Sequence, residues 1–347
     1  AGQALALTMV VAWLAGCASP AYYWQAARGQ WQLSHAGQPV SALLADPQTD
    51  AELRAQLQTA RDVVAFAGET LMLPADGAYQ RYVRTGRDAV TWTVIATPEF
   101  SLAPETWCHL VAGCVAYRGY FDEDAARRFA AGQSRRGRDA AVFPVPAYST
   151  LGWLDDPLLD TMLRGDPLTL AATVIHELAH RRLYVSGDAA FSERYARFVE
   201  EAGIEAWLAG LPPAEAERLR GQWRRRLAQR EAATAALVDA RRSLERIYAA
   251  PDPPDAMQAR KRAVFDALVR ELDAVAPPAE AWVSANPNNA HVAMAGLYEA
   301  AGCPFEMLFE TAGGDWQRFH ALVEERAALD DAARAKWLEA PCPATHR

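Results

Sequence analysis

Asp166-Pro-Leu-Thr-Leu-Ala-Ala-Thr-Val-Ile-His176-Glu-Leu-Ala-His180 is the stretch from which the rest of the chain can be read. Asp166 offers a capping carboxylate and Pro167 suits the first helical position, so a helix starts here. It stays apolar through Leu170, Val174 and Leu178, and its pattern runs on to Tyr184 with a stop at Gly187. His176 and His180 are four apart, and four steps of about 100° put them on one face, one turn apart in height. Two imidazoles so placed can reach one metal ion, and zinc is the usual ion for this ligand type. Glu177 lies beside the first histidine, offset by about 100° around the axis. A metal lowers the pKa of a water at such a site and polarises a carbonyl, and the neighbouring carboxylate takes the proton. That is the chemistry behind the His-Glu-x-x-His pattern. Three polar side chains in an apolar helix are costly to bury unless an ion pairs them.

A catalytic zinc commonly keeps three protein ligands and one open position. No third histidine follows at a useful spacing, so a carboxylate of the next helix is the better choice. That helix can be capped by Asp188 and runs to about Ala209, where Gly210 and Pro212-Pro213 stop it. Glu193, Glu200 and Glu201 all lie on it, and Glu193 and Glu200, seven apart, share a face. The segment Phe191-Ser-Glu193-Arg-Tyr195-Ala resembles the Asn-Glu-Gly-Phe-Ala segment of aminopeptidase-N-like enzymes, whose glutamate is the third zinc ligand. The resemblance implies Glu193 here, with Glu200 and Glu201 as the alternatives. The gap between the two helices is shorter than in aminopeptidase N.

The wider pattern resembles a bacterial family of predicted aminopeptidases that are zinc lipoproteins. The likeness rests on Gly113-Cys-Val-Ala-Tyr-Arg-Gly-Tyr-Phe121, Ala147-Tyr-Ser-Thr-Leu-Gly-Trp153, Asp156-Pro-Leu-Leu159, the His176 motif with Leu183-Tyr-Val185, the Phe191 segment, and Asn288-Asn-Ala290. Ser192 stands where the family pattern has Asn. The resemblance implies a gluzincin-like, zinc-dependent aminopeptidase acting on peptides. Aminopeptidase N grips the substrate amine with a Gly-x-Met-Glu-Asn loop, and this sequence has none. Exopeptidase and endopeptidase therefore stay open, and hydrolysis of a cell-wall amide competes with both. A non-enzymatic envelope scaffold that keeps a zinc site is a further alternative, against which the intact Glu177 argues.

Of the 347 residues, 51% are apolar and 22% charged, enough for one large domain or two closely packed ones. The net charge of −8 argues against a nucleic-acid partner and against electrostatic docking on an anionic membrane. Arg218 to Arg226 is locally basic and reads as a solvated helix face. Ala4 to Ala15 is a charge-free apolar run, too short to span a bilayer and right for a signal-peptide core. Leu14-Ala-Gly-Cys17 follows in the manner of a bacterial lipobox, which makes residues 1–16 a signal peptide and Cys17 the lipidated anchor to a membrane. Ala18, where an Asp would mark inner-membrane retention, resembles the outer-membrane class, at its periplasmic face. With Cys17 set aside, four cysteines remain, an even number for an oxidising compartment. Their positions suggest Cys108 with Cys114 and Cys303 with Cys342. Other pairings and four reduced thiols are the alternatives.

The fold class is α+β, mostly helical: a zincin-like metallopeptidase with a small sheet and a long helical hairpin. Residues 17–210 read as the catalytic region and 211–347 as a helical region packed on it. Helix is expected over 20–72, with apolar spacing and helix formers from Asp50 to Leu73, and over Asp122–Ala131, 214–250 and 254–276, strand over 89–97, 114–120 and 140–147, and two or three helices after Asn289. Tyr148, Ser149 and Thr150, just before the zinc helix, are candidates to line a cleft in which substrate adds as a strand. A buried strand with its hydroxyls on backbone is the alternative. Tyr298 and His291 are candidate oxyanion donors. His35, His109 and His320 read as ordinary polar or core residues.

Overall fold

A computed structural model of the chain describes residues 20–109, 113–147, 150, 155–275, 286–295 and 303–340. They fall into two compact units that interleave along the chain. One takes 36–88, 146–234 and the described residues from 303; the other takes 20–35, 89–145 and 235–295. No single cut near 210 divides them.

In the first unit, three helices carry the motif region: α3 (Ala51–Glu69), α5 (Pro167–Arg182) and α6 (Ala189–Ala209). Asp166 caps α5 by accepting from the Thr169 amide, with Pro167 in its first turn. Asp188 caps α6 by accepting from the Phe191 amide. The helix ends at Arg182, earlier than its apolar pattern suggests. Leu183 turns extended, and Gly187, at φ 85°, belongs to the connecting turn. Ser192 locks that turn: its hydroxyl donates to the Asp188 carbonyl and accepts from the Val185 amide. Helices α5 and α6 then run back along each other. A Cβ on Gly203 would meet Ile175 Cγ2 at 3.1 Å, so this glycine sets how closely the two backbones approach. The pairs Ile175 with Gly203 and His176 with Glu200 lie in opposite order along the two helices.

The opposite face of α6 presents Phe191, Tyr195 and Phe198 to α10 (Cys303–Thr311), α11 (Trp316–Ala327) and α12 (Asp331–Leu338), with Phe305 and Phe319 among their contacts. Four helices follow position 288 among the described residues, these three and one over Asn289–Ala295, where two or three were expected. A small sheet pairs β1 (Gln38–Pro39) antiparallel to β2 (Arg81–Val83) and β2 parallel to β8 (Leu158–Leu159). The long helix α7 (Pro213–Ala249) has no break, and its first part is tied to this unit by ion pairs of Arg226 with Asp166 and of Arg230 with Glu200 and Glu201. Part of the basic run thus serves internal pairing instead of solvation.

His320 sits in this core, 1% exposed. It donates from Nε2 to the Leu71 carbonyl (2.8 Å) and accepts at Nδ1 from the Tyr195 hydroxyl (2.9 Å). Burial pushes its pKa down to about 4, so the ring is neutral. The folded state resists a proton that the unfolded state accepts near pH 6.5. This contribution is therefore complete above about pH 6.5 and lost as pH falls towards 4, at a cost of about 3 kcal/mol. Unfolding free energies measured at pH 7 and pH 4 should differ less in His320→Gln than in wild type. An unchanged pH slope in the variant would refute the assignment.

The second unit is built on β3 (Thr91–Pro98), flanked antiparallel by β6 (Arg118–Tyr120) and β7 (Arg138–Val145). Alternation sends Trp92 and Val94 to one face with Ala126 and Ala130 of α4 (Glu123–Ser134), and Ile95 to the other with Ala290 and Ala293 of α9 (Asn289–Ala295). The single strand expected over 114–120 is two. β5 (Gly113–Val115) forms a hairpin with β4 (Trp107–His109), closed by the Cys108–Cys114 disulfide, whereas Arg118–Tyr120 pairs with β3. The Asn288-Asn289 pair is a clamp. Asn289, 0% exposed, donates to the Glu99 and Ser101 carbonyls and accepts from the Tyr248 hydroxyl. Asn288 donates to the Ala140 carbonyl. The helix α8 (Pro254–Val275) adds the buried Lys261, paired with Asp139 at 2.7 Å. No described helix is long and apolar enough to cross a membrane.

Candidate metal centre

Three donors meet between α5 and α6. His176 Nε2 and His180 Nε2 are 3.2 Å apart. Glu193 turns one carboxylate oxygen to each, at 3.4 Å from His176 and 3.5 Å from His180. Donors about 2.1 Å from a common tetrahedral centre are separated by about 3.4 Å, the edge of that tetrahedron. The closest approaches, made by different Glu193 oxygens, are near that edge, and one donor atom from each residue lies within 4.8 Å of the others; among the described residues they are the one such group of histidine, cysteine and acidic side chains. Two imidazole nitrogens facing each other over a carboxylate need a shared cation or a proton.

The surroundings hold His176 in one orientation. Its Nδ1 is 3.0 Å from Glu200 Oε2. Arg230 donates to Glu200 at 3.0 Å and to Glu201 at 2.6 Å. Nδ1 therefore carries the proton and Nε2 presents its lone pair to the centre, as in carboxylate-buttressed metal histidines. Glu193 and Glu200, on one face of α6, thus act on opposite nitrogens of one ring. Glu200 lies behind the donor set and Glu201 pairs with Arg230 and Arg197. The fallback ligands accordingly have other partners. Nδ1 of His180 is buried without a protein partner.

The charges agree with a cation site. Burial works to lower the His176 pKa, but the hydrogen-bonded carboxylates of Glu193 and Glu200 push it up to about 10. Burial works to raise Glu193, but the two histidines hold it at about 2. Burial opposes the ionisation of Glu200 as well, and His176 and Arg230 overcome it. In the absence of a metal a proton occupies this pocket, and a metal would displace it.

Glu177 lies beside the donor set, within the electrostatic reach of His176, His180 and Glu193. Burial raises its pKa above the ordinary carboxylate range, with the two histidines opposing and Glu193 and Asp156 adding to the rise. Asp156 and Tyr79 share a cavity of about 870 Å³ with Asp155, Asp76 and Glu69. Tyr79 is 6% exposed and has φ 56°, a strained backbone for an aromatic residue. Its amide donates to the Asp156 carbonyl at 2.9 Å, and Arg181, next to His180, donates to the Asp76 carbonyl, so this turn is tied to α5. Burial raises the Tyr79 phenol far above its usual range, the carboxylates of Glu177 and Asp156 raise it further, and Arg181 opposes them.

Cys17, Tyr148, Ser149, Tyr298 and Cys342 fall outside the described residues. Thr150 bonds through its amide and hydroxyl to Asp156, so that hydroxyl serves the loop. His291 belongs to the unit of the three-stranded sheet around β3, with its Nδ1 engaged by Asn288. Cys303 is disulfide-bonded, and its partner lies outside the described residues. Glu200 as the support of His176 was foreshadowed by its seven-residue spacing from Glu193. Arg230 and Tyr79 had no local signal, since each reaches α5 or α6 from a distant stretch of chain.

The family model described as "Putative aminopeptidase" matches residues 21–338. No curated protein and no solved structure matches the chain.

Proposed function

The chain belongs to the family described as "Putative aminopeptidase", and from that premise we propose that it is a zinc-dependent peptidase of zincin-like fold. The observation that carries the proposal is the convergence of His176 Nε2, His180 Nε2 and the Glu193 carboxylate, whose one oxygen lies 3.4 Å from His176 and the other 3.5 Å from His180, with the two nitrogens 3.2 Å apart. These three residues would hold the ion, with Glu200 and Arg230 fixing His176 from behind. When bound, zinc supplies a Lewis acid that acidifies a water and polarises the scissile carbonyl. Glu177 takes the proton as the water oxygen bonds to the carbonyl carbon. It returns a proton to the amine nitrogen as the C–N bond breaks. A carboxylate raised by burial is suited to both transfers. Tyr79 stays a neutral O–H donor, and we add it to Tyr298 and His291 as a group that could face the oxygen gaining charge.

Cleavage from a free N-terminus is the family's implied activity. The Cys17 lipobox supports a lipid-anchored protein on the periplasmic face of the outer membrane. The test combines elemental analysis with hydrolysis of one peptide set in free and N-acetylated form. About one zinc per chain and release of N-terminal residues from free peptides alone are expected. Cleavage inside acetylated peptides would make it an endopeptidase. Absence of both zinc and cleavage would favour the scaffold.

A further inference from the structure

The helix α1 (Pro20–Ala36) packs on the second unit by one face only. The Phe121 ring lies against Gly29, Tyr22 meets Tyr120 edge to face at 5.5 Å, and Gln25 accepts from the Phe121 amide at 2.9 Å. On the outer face stand Trp24 and Trp31, 71% and 61% exposed. They are seven apart, so they share a stripe, offset by only about 20°. They are two of the five large apolar side chains exposed among the described residues, and the most exposed of them.

The charge pattern agrees. The chain carries 43 acidic residues, yet none precedes Asp46, while Arg28 lies in α1. The net charge of −8, which argues against docking on an anionic surface, thus resides elsewhere in the sequence. Tryptophan favours the boundary between headgroups and acyl chains, where its ring is buried and its N–H stays hydrated. Cys17 is three residues before Pro20. An extended chain of three residues spans about 10 Å, so a lipid on Cys17 would hold α1 at the headgroups.

We propose that the Trp24–Trp31 face of α1 is a membrane-docking surface that lays this helix on the phospholipid bilayer. The proposal rests on the reading of Cys17 as a lipid anchor, which tethers the chain at one point and leaves its orientation to a second contact. The helix holds the protein against the bilayer, and the lipid limits its distance.

The test uses lipidated full-length protein in vesicles of phosphatidylethanolamine and phosphatidylglycerol with brominated acyl chains. Bromine quenches tryptophan emission at the acyl boundary. Wild type should be quenched, and Trp24→Ser with Trp31→Ser should lower the quenched emission at least about twofold, with unchanged circular dichroism. Equal quenching in both, or none in the lipidated wild type, overturns the proposal. A detergent-extracted dimer that the double variant breaks apart would assign the face to a second copy and also overturn it. Mass spectrometry of Cys17 separates the two readings. If Cys17 carries no lipid and added vesicles still quench Trp24 and Trp31, the anchor fails and the docking surface stands.

Discussion

Glu177→Gln should keep its zinc and its fold and lose about two to four orders of magnitude in turnover. The substitution preserves size and hydrogen bonding and removes only the proton acceptor. Glu177 is not among the three donors that meet between α5 and α6, so its loss leaves their separations of 3.2 to 3.5 Å intact. It instead adds a buried carboxylate whose pKa is raised by its surroundings. The readouts are zinc content, melting temperature and turnover on a peptide that wild type cleaves. Near-wild-type turnover in a zinc-loaded variant would refute the general-base mechanism.

His180→Ala should fail in a different way, by losing the metal. His180 is 8% exposed and contributes one of the three donor groups. Without it, His176 and Glu193 remain, one short of the usual three protein ligands, and zinc occupancy and turnover should both collapse. Binding free energy is coupled to folding, so a chelator should lower the melting temperature of wild type and leave that of His180→Ala unchanged. Full zinc occupancy in the variant would remove His180 from the donor set. Together the two variants separate chemistry from binding: one keeps the ion without turnover, the other keeps Glu177 without the ion.

Much of the site's scaffold was legible because it depends on short-range geometry. The Asp166 and Asp188 caps, the four-residue histidine spacing and the strand read over 89–97 and found over Thr91–Pro98 are each decided within a few residues, where side chain and backbone meet whatever the rest of the chain does. The end of α5 was misjudged because Leu183 and Tyr184 continue the apolar period. The turn is instead set by Ser192, which bonds back to Val185 and Asp188. The stretch 114–120 was read as one strand because β-propensity does not say which partner a strand will find, and here two halves found two.

By itself the sequence determined that two imidazoles and a carboxylate share one helix, with candidate acids on the next helix. Spacing on a helix is a matter of 3.6 residues per turn, and needs no tertiary contact. Only the tertiary structure shows which of Glu193, Glu200 and Glu201 faces the two histidine Nε2 atoms. The antiparallel crossing of α5 and α6 puts Glu193 at the Nε2 atoms and Glu200 at Nδ1 of the same ring. It also brought Arg230 from a separate helix and Tyr79 from a strained turn. A buried charge must be met by whichever partner the packing delivers, and packing joins residues far apart in the chain, where periodicity carries no information.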